Sequence, residues 1–179
     1  MKGYLDLPIR GSKYFRVFGG PYRARPEAMV GLKMAVEINS PSDISIDTED
    51  FDVPAFDALD CGLLKAVQSI AAGYPLYVGC MGGVGRTGLF LAILAKAWGI
   101  PQPVEYVRTQ YIPHAVETQR QYKYVTDYYV PRDVVAAVQR AKTLGFLLSL
   151  LPNCLYPHCR TVVPPFAARE VLIIDKRRT

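Results

Sequence analysis

The run Leu76-Tyr77-Val78-Gly79-Cys80-Met81-Gly82-Gly83-Val84-Gly85-Arg86-Thr87-Gly88 constrains this chain more than any other stretch. A short apolar segment, fit for a buried strand, enters a loop with glycines at 79, 82, 83, 85 and 88. An amphipathic run from Leu89 to Trp98 follows at once. Strand, glycine-rich loop and helix start, in that order, turn backbone N–H groups and the positive end of a helix dipole toward an anion. The glycines and Arg86 suit a phosphate. Cys80 is not needed to bind one, but a nucleophilic thiolate needs such a place, because a helix N-terminus and a cation depress a thiol pKa.

The chain has 179 residues, enough for one domain with a proper core and an appended segment. Half of it is hydrophobic and 21% is charged, a globular composition. Four cysteines without a secretory leader point to a reducing, cytoplasmic setting rather than a disulfide framework. No apolar run is long enough to span a membrane. The net charge of +5 is local: residues 131–179 carry eight bases and three acids, whereas residues 1–130 carry 13 of each. Residues 37–60 hold eight acids and no base, which disfavours a long polyanion such as nucleic acid as substrate without excluding it.

Gly3, Pro8, Gly11, Gly19-Gly20-Pro21 and Pro26 punctuate a loop-rich opening, with a first strand at Tyr14–Phe18. Leu32–Ile38 and Asp43–Asp47 read as further strands. Phe56, Leu59, Leu63, Ala66, Val67 and Ile70 fall at helical spacing, with Pro54 at the start and Gly73 at the stop. After the central loop come helices at Leu89–Trp98, Val104–Tyr111 and Thr118–Tyr129, the last with Tyr122, Val125 and Tyr129 on one face. Strands first, then mostly helices around one βα crossing, predict an α/β fold: a small mixed, largely parallel sheet flanked by helices. Residues 1–130 make the domain and residues 131–179 a basic C-terminal extension. In that extension, Val134–Leu151 reads as a terminal helix packed on the domain or, alternatively, as a basic amphipathic helix for a membrane or partner protein. Cys154-Leu155-Tyr156-Pro157-His158-Cys159 carries metal-type side chains but too few for a closed zinc site, so neither metal nor cofactor is expected.

Three loop motifs compete for the central stretch. A nucleotide-binding P-loop fails, since Cys80 stands where its first Gly belongs and Arg86 where its Lys belongs. Gly83-Val84-Gly85-Arg86-Thr87-Gly88 matches a dinucleotide fingerprint, but the acid that should end a second strand is missing. The third, Cys80-x5-Arg86-Thr87, resembles the phosphate-binding loop of the cysteine-dependent protein tyrosine and dual-specificity phosphatase superfamily in compact form. Upstream, Thr48-Glu49-Asp50-Phe51-Asp52-Val53-Pro54 resembles that family's Trp-Pro-Asp-x-Gly-Val-Pro acid loop. Downstream, Val116-Glu117-Thr118-Gln119-Arg120-Gln121-Tyr122 resembles the helix start whose Gln positions water. The resemblance covers about residues 30–130.

The resemblance implies a three-layer phosphatase-like domain and a phosphocysteine mechanism. Cys80 is the nucleophile, and Arg86 grips two phosphate oxygens with a planar fork that Lys lacks. The N–H groups of Met81, Gly82, Gly83, Val84, Gly85 and Arg86 cradle the remaining charge. Asp50 is the acid and then the base, Gln121 orients water, and Thr87 eases departure of the sulfur. Asp52 is a local rival to Asp50, and either acid could instead cap the following helix. The implied substrate is a phosphorylated protein or a small phosphoester. The alternatives are a phosphate-binding pseudophosphatase module and an RNA 5′-phosphatase. One departure stands out: Gly79 occupies the position where the family usually carries a His tied to keeping the thiol acidic.

Overall fold

A computed structural model describes residues 3–10, 13–148 and 173–175 of the chain. Six strands form one sheet: β1 (Tyr4–Pro8), β2 (Lys13–Pro21), β3 (Val30–Lys33), β4 (Ile44–Ser45), β5 (Leu76–Cys80) and β6 (Ile173–Asp175). The main path runs β1-β2-β5-β3-β4, with β6 paired to β2 beside it. The β2–β5, β5–β3 and β3–β4 junctions are parallel, while β1–β2 and β2–β6 are antiparallel. Five helices flank the sheet: α1 (Phe56–Ala71), α2 (Gly85–Ala97), α3 (Pro103–Gln110), α4 (Gln119–Asp127) and α5 (Arg132–Leu148). The expected mixed, largely parallel α/β architecture is the observed one.

The loop-bearing strand β5 lies between two parallel neighbours and is buried at every residue, which is why it reads as an unbroken apolar run. The helix behind it departs from expectation. Helix α2 is not an amphipathic surface helix: every residue from Gly85 to Ala95 is buried. It packs on β5, α3 and α4 and so forms the middle of the core. Its polar exception, Lys96, donates to the carbonyls of Val125 (2.8 Å) and Thr126 (2.7 Å) at the end of α4.

Three other expectations are corrected. The strand expected at Leu32–Ile38 stops at Lys33. There the chain turns, with the Lys33 ammonium donating to the Ile38 carbonyl at 2.7 Å, and carries Glu37 over the central loop. The Asp43–Asp47 strand shrinks to Ile44–Ser45, because Asp43 spends its carboxylate on the Gly31 N–H (2.7 Å) and Arg25 (3.0 Å). The inward face of α4 is Gln121 and Val125, continued by Tyr128 just past its end, whereas Tyr122 and Tyr129 are exposed.

The opening segment hides a strand the punctuation obscured. In β1, Leu5 and Leu7 are buried and Asp6 lies directly across from Arg16, which grips it at 2.8 and 3.1 Å. Past residue 130, α5 packs on α1 and buries Val134, Val138 and Ala141. The segment Cys154–Cys159 lies outside the described residues. Among the described residues, no cluster of His, Cys, Asp and Glu is fit for a metal, and no helix is long and apolar enough to cross a membrane.

Candidate active site

Cys80 ends β5, and the chain turns through residues 81–84 into the first turn of α2. The Cys80 side chain is buried and its sulfur accepts two hydrogen bonds, from the Gly83 N–H and the Thr87 hydroxyl, each at 3.2 Å. Gly83 is held at φ +73°, and a Cβ there would meet the Gly20 carbonyl carbon at 2.3 Å and the Pro21 nitrogen at 2.5 Å. The loop therefore lies flat against the end of β2, and only glycine fits at that point. Met81 and Gly82 face outward, and nothing stands within 4 Å of a Cβ built on Gly82. Val84 and Gly85 form the turn's inner end.

Gly79 acquires a different meaning from the one its position implied. A Cβ there would meet Tyr22 Cα at 2.7 Å and Tyr22 N and Gly20 O at 2.9 Å. All three are backbone atoms of the neighbouring chain segment, so they cannot swing aside. The residue before Cys80 is glycine because β2 and the turn at Tyr22 leave no space for a side chain.

Arg86 is 2% exposed and fully engaged. Its Nη1 donates to Glu37 Oε2 (2.8 Å) and to the Thr48 carbonyl (2.9 Å), and its Nη2 to Glu37 Oε1 (2.6 Å). Asp50 Oδ1 is 2.9 Å from the same Nη2. Burial pulls the guanidinium pKa down, but the Glu37 hydrogen bonds and the electrostatic interactions with Cys80, Glu37 and Asp50 outweigh it and leave it raised. Glu37 escaped the sequence reading. Its only signal was its place in the acid-rich stretch, and it reaches Arg86 because β3 ends early.

The acid-rich loop separates its two candidates. Asp50 faces Arg86. Asp52 turns away: it pairs with Arg120 at 2.8 Å and accepts from the Val53 N–H at 2.6 Å. Phe51 between them has φ +58°, a left-handed conformation uncommon for an aromatic residue, and this sharp bend separates the two carboxylates.

Gln121 is fully buried and joins α4 to this loop. Its Oε1 accepts from the Glu117 N–H (3.0 Å) and the Thr118 N–H (3.4 Å), its backbone N–H donates to Thr118 Oγ1 (3.1 Å), and its Nε2 donates to the Asp52 carbonyl (3.3 Å). This is a complete capping box at the start of α4. The side-chain amide sits next to the loop, but in this conformation both ends of it serve the backbone. A cleft of about 360 Å3 opens beside the box, lined by Arg108, Val116, Glu117, Thr118, Gln119 and Tyr122.

A buried thiol at the end of a central parallel strand, with an arginine six residues on, sits on a sheet also found in known enzymes. Tk-PTP in its active form superposes with a TM-score of 0.52 at 20% identity, covering 68% of this chain and 94% of that one. The chain has the protein tyrosine phosphatase fold. Kinase associated phosphatase, in a form whose catalytic-site cysteine is replaced by serine, shares this phosphatase fold with a TM-score of 0.55 at 15% identity, over 75% of this chain and 95% of that one. No protein-family model matches. Two uncharacterized proteins of Methanocaldococcus jannaschii are similar in sequence. One is 37% identical over 83 residues, which is 46% of this chain and 56% of the relative. The other is 36% identical over 83 residues, 46% and 52% of the two chains. The chain spans about half the length of the curated relatives it matches.

Proposed function

We propose that the chain is a phosphomonoester hydrolase of the protein tyrosine or dual-specificity type, working through a phosphocysteine intermediate. One observation carries the reading: the Cys80 sulfur, held by the Gly83 N–H and Thr87, shares its loop with an Arg86 fixed by Glu37. Phosphate monoesters resist hydrolysis because the transferring group is already anionic, so positioning and charge stabilisation account for most of the catalysis.

In the proposed sequence, substrate phosphate takes the place of the Asp50 carboxylate on Arg86 and fills the cradle of N–H groups from Met81 to Arg86. The Cys80 thiolate attacks phosphorus, the bond to the leaving oxygen breaks, and protonated Asp50 gives that oxygen its proton. Water then attacks the phosphocysteine while Asp50 takes a proton from it. The S–P bond breaks with its electrons returning to Cys80, and the Thr87 hydroxyl stabilises the departing sulfur. We assign Gln121 to holding the acid loop in register, with orientation of the water as its second task once its amide is released.

The substrate is a phosphorylated protein or small phosphoester. The acids at 37–60 weigh against the RNA 5′-phosphatase alternative. Turnover of an aryl phosphate by wild type, Cys80→Ser and Asp50→Ala tests the reading. The expected result is loss of turnover in Cys80→Ser and a drop of about 10²–10⁴-fold in Asp50→Ala. A wild type as inert as Cys80→Ser leaves the phosphate-binding module instead.

A further inference from the structure

We propose that Tyr111 is a positioning residue of the anion cradle: its hydroxyl donates to the carbonyl of Gly83 and so aims the next N–H, that of Val84, at the bound oxyanion. The inference rests on the phosphate-hydrolase reading above.

The geometry is specific. Tyr111 follows directly on α3, is 2% exposed, and places its hydroxyl oxygen 2.5 Å from the Gly83 oxygen. The C=O and N–H of one trans peptide point in opposite directions. A carbonyl held outward by Tyr111 therefore turns the Val84 N–H the other way, toward the interior of the loop. The preceding peptide already aims its N–H, that of Gly83, at the Cys80 sulfur. Two successive N–H groups are thus oriented, one by the sulfur and one by the tyrosine.

A loop rich in glycine needs such a hold. Gly83 imposes little torsional preference of its own, so the orientation of its peptide plane depends on what its carbonyl meets. Without a donor, that buried carbonyl is left unsatisfied and the plane rocks to find another partner. Tyr111 is in turn seated by the strand beneath it: a Cβ on Gly19 would lie 3.0 Å from its ring and 3.2 Å from Leu91. Burial, reinforced by electrostatic interaction with Cys80, raises the Tyr111 pKa far out of the working range, so the hydroxyl stays a donor.

The test compares wild type, Tyr111→Phe, Gly19→Ala and Tyr106→Phe. Tyr106 is the control, since its hydroxyl donates to the Asp6 carbonyl on β1, away from the loop. Each protein is measured for orthovanadate affinity by calorimetry, for kcat and KM on an aryl phosphate, for the alkylation rate of Cys80 by iodoacetamide, and for melting temperature. Removing an oxyanion donor outright costs 10²–10³-fold in kcat, so misaligning one in Tyr111→Phe is expected to lower kcat and vanadate affinity by about 10-fold or more, with KM moving less. Its alkylation rate should change several-fold as the Gly83 N–H drifts from the sulfur. Gly19→Ala keeps the hydroxyl but displaces the ring, and should lose in the same direction by less. Tyr106→Phe should match wild type on all but melting temperature. The proposal is overturned if Tyr111→Phe matches wild type in vanadate affinity and alkylation, or if Tyr106→Phe shows equal losses. If wild type neither hydrolyses the ester nor binds vanadate, the phosphate-hydrolase reading falls, and the alkylation comparison alone decides whether Tyr111 sets the loop.

Discussion

The Glu37 carboxyl is held below its ordinary pKa because Arg86 donates to both of its oxygens. The sign of the pH effect follows. A depressed folded-state pKa stabilises the protein above the ordinary carboxylate pKa, and that contribution disappears as pH falls through the lowered value. The stability advantage of wild type over Glu37→Gln, measured by urea denaturation, should therefore be full near neutrality and vanish in acid. In turnover, Glu37→Gln should lose kcat/KM, because a neutral amide accepts one of the two bonds and opposes the other with its own N–H groups. Gly79 makes a second residue-scale prediction. Gly79→Ala should destabilise by about 1–3 kcal/mol in chemical denaturation, the usual cost of overpacking, because its Cβ meets backbone rather than a yielding side chain.

Between elements, the start of α4 is the joint that sets the acid loop. Thr118 caps the helix, Gln121 closes the box, and the same Gln amide reaches the Asp52 carbonyl across 69 residues of sequence. Thr118→Ala should cost about 1 kcal/mol in urea denaturation, as the loss of such a cap does. Gln121→Ala should cost more, because two backbone N–H groups and the Asp52 carbonyl lose their partner together. Elements of this kind differ in how plainly the chain announces them. Helix α1 was legible because its apolar residues hold one period and Gly73 stops it. The central loop was legible because glycines, Cys80 and Arg86 stand between an apolar strand and a helix start. Strand β1 was obscured by Gly3 and Pro8, and only the Leu5-Asp6-Leu7 alternation betrayed it. Glu37 could not be singled out, since the turn that brings it to Arg86 depends on where β3 stops, and the backbone there bonds to distant segments: the Lys33 carbonyl accepts from the Ile46 N–H and the Met34 N–H donates to the Gly79 carbonyl. The all-round burial of α2 was misread for a similar reason: a short apolar run does not say how many neighbours will surround it.

On the scale of the whole molecule, Trp98 ties the layers together. Its Nε1 donates to the Pro8 carbonyl at 2.8 Å, its ring meets Phe15 edge to face, and its own carbonyl accepts from Lys142 of α5 at 2.8 Å. One residue thus joins the end of β1, β2, the end of α2 and the C-terminal helix. Trp98→Ala should cost about 3–5 kcal/mol, the range for emptying a buried aromatic site. As the single tryptophan of the chain, it also reports on the fold: its fluorescence and the far-ultraviolet circular dichroism should follow one denaturation curve if residues on both sides of position 130 unfold together.

Under the proposed function, the contact between Asp50 and Arg86 carries a cost. A carboxylate resting on the guanidinium is an internal rival for the incoming phosphate. Capture succeeds only in the fraction of time the rival is away, and apparent affinity falls by that fraction. Asp50→Ala should then bind orthovanadate more tightly than wild type while turning over ester more slowly, a split that calorimetry and steady-state kinetics on the same preparation would show. On that reading, the residue proposed to protonate the leaving group also gates access to Arg86.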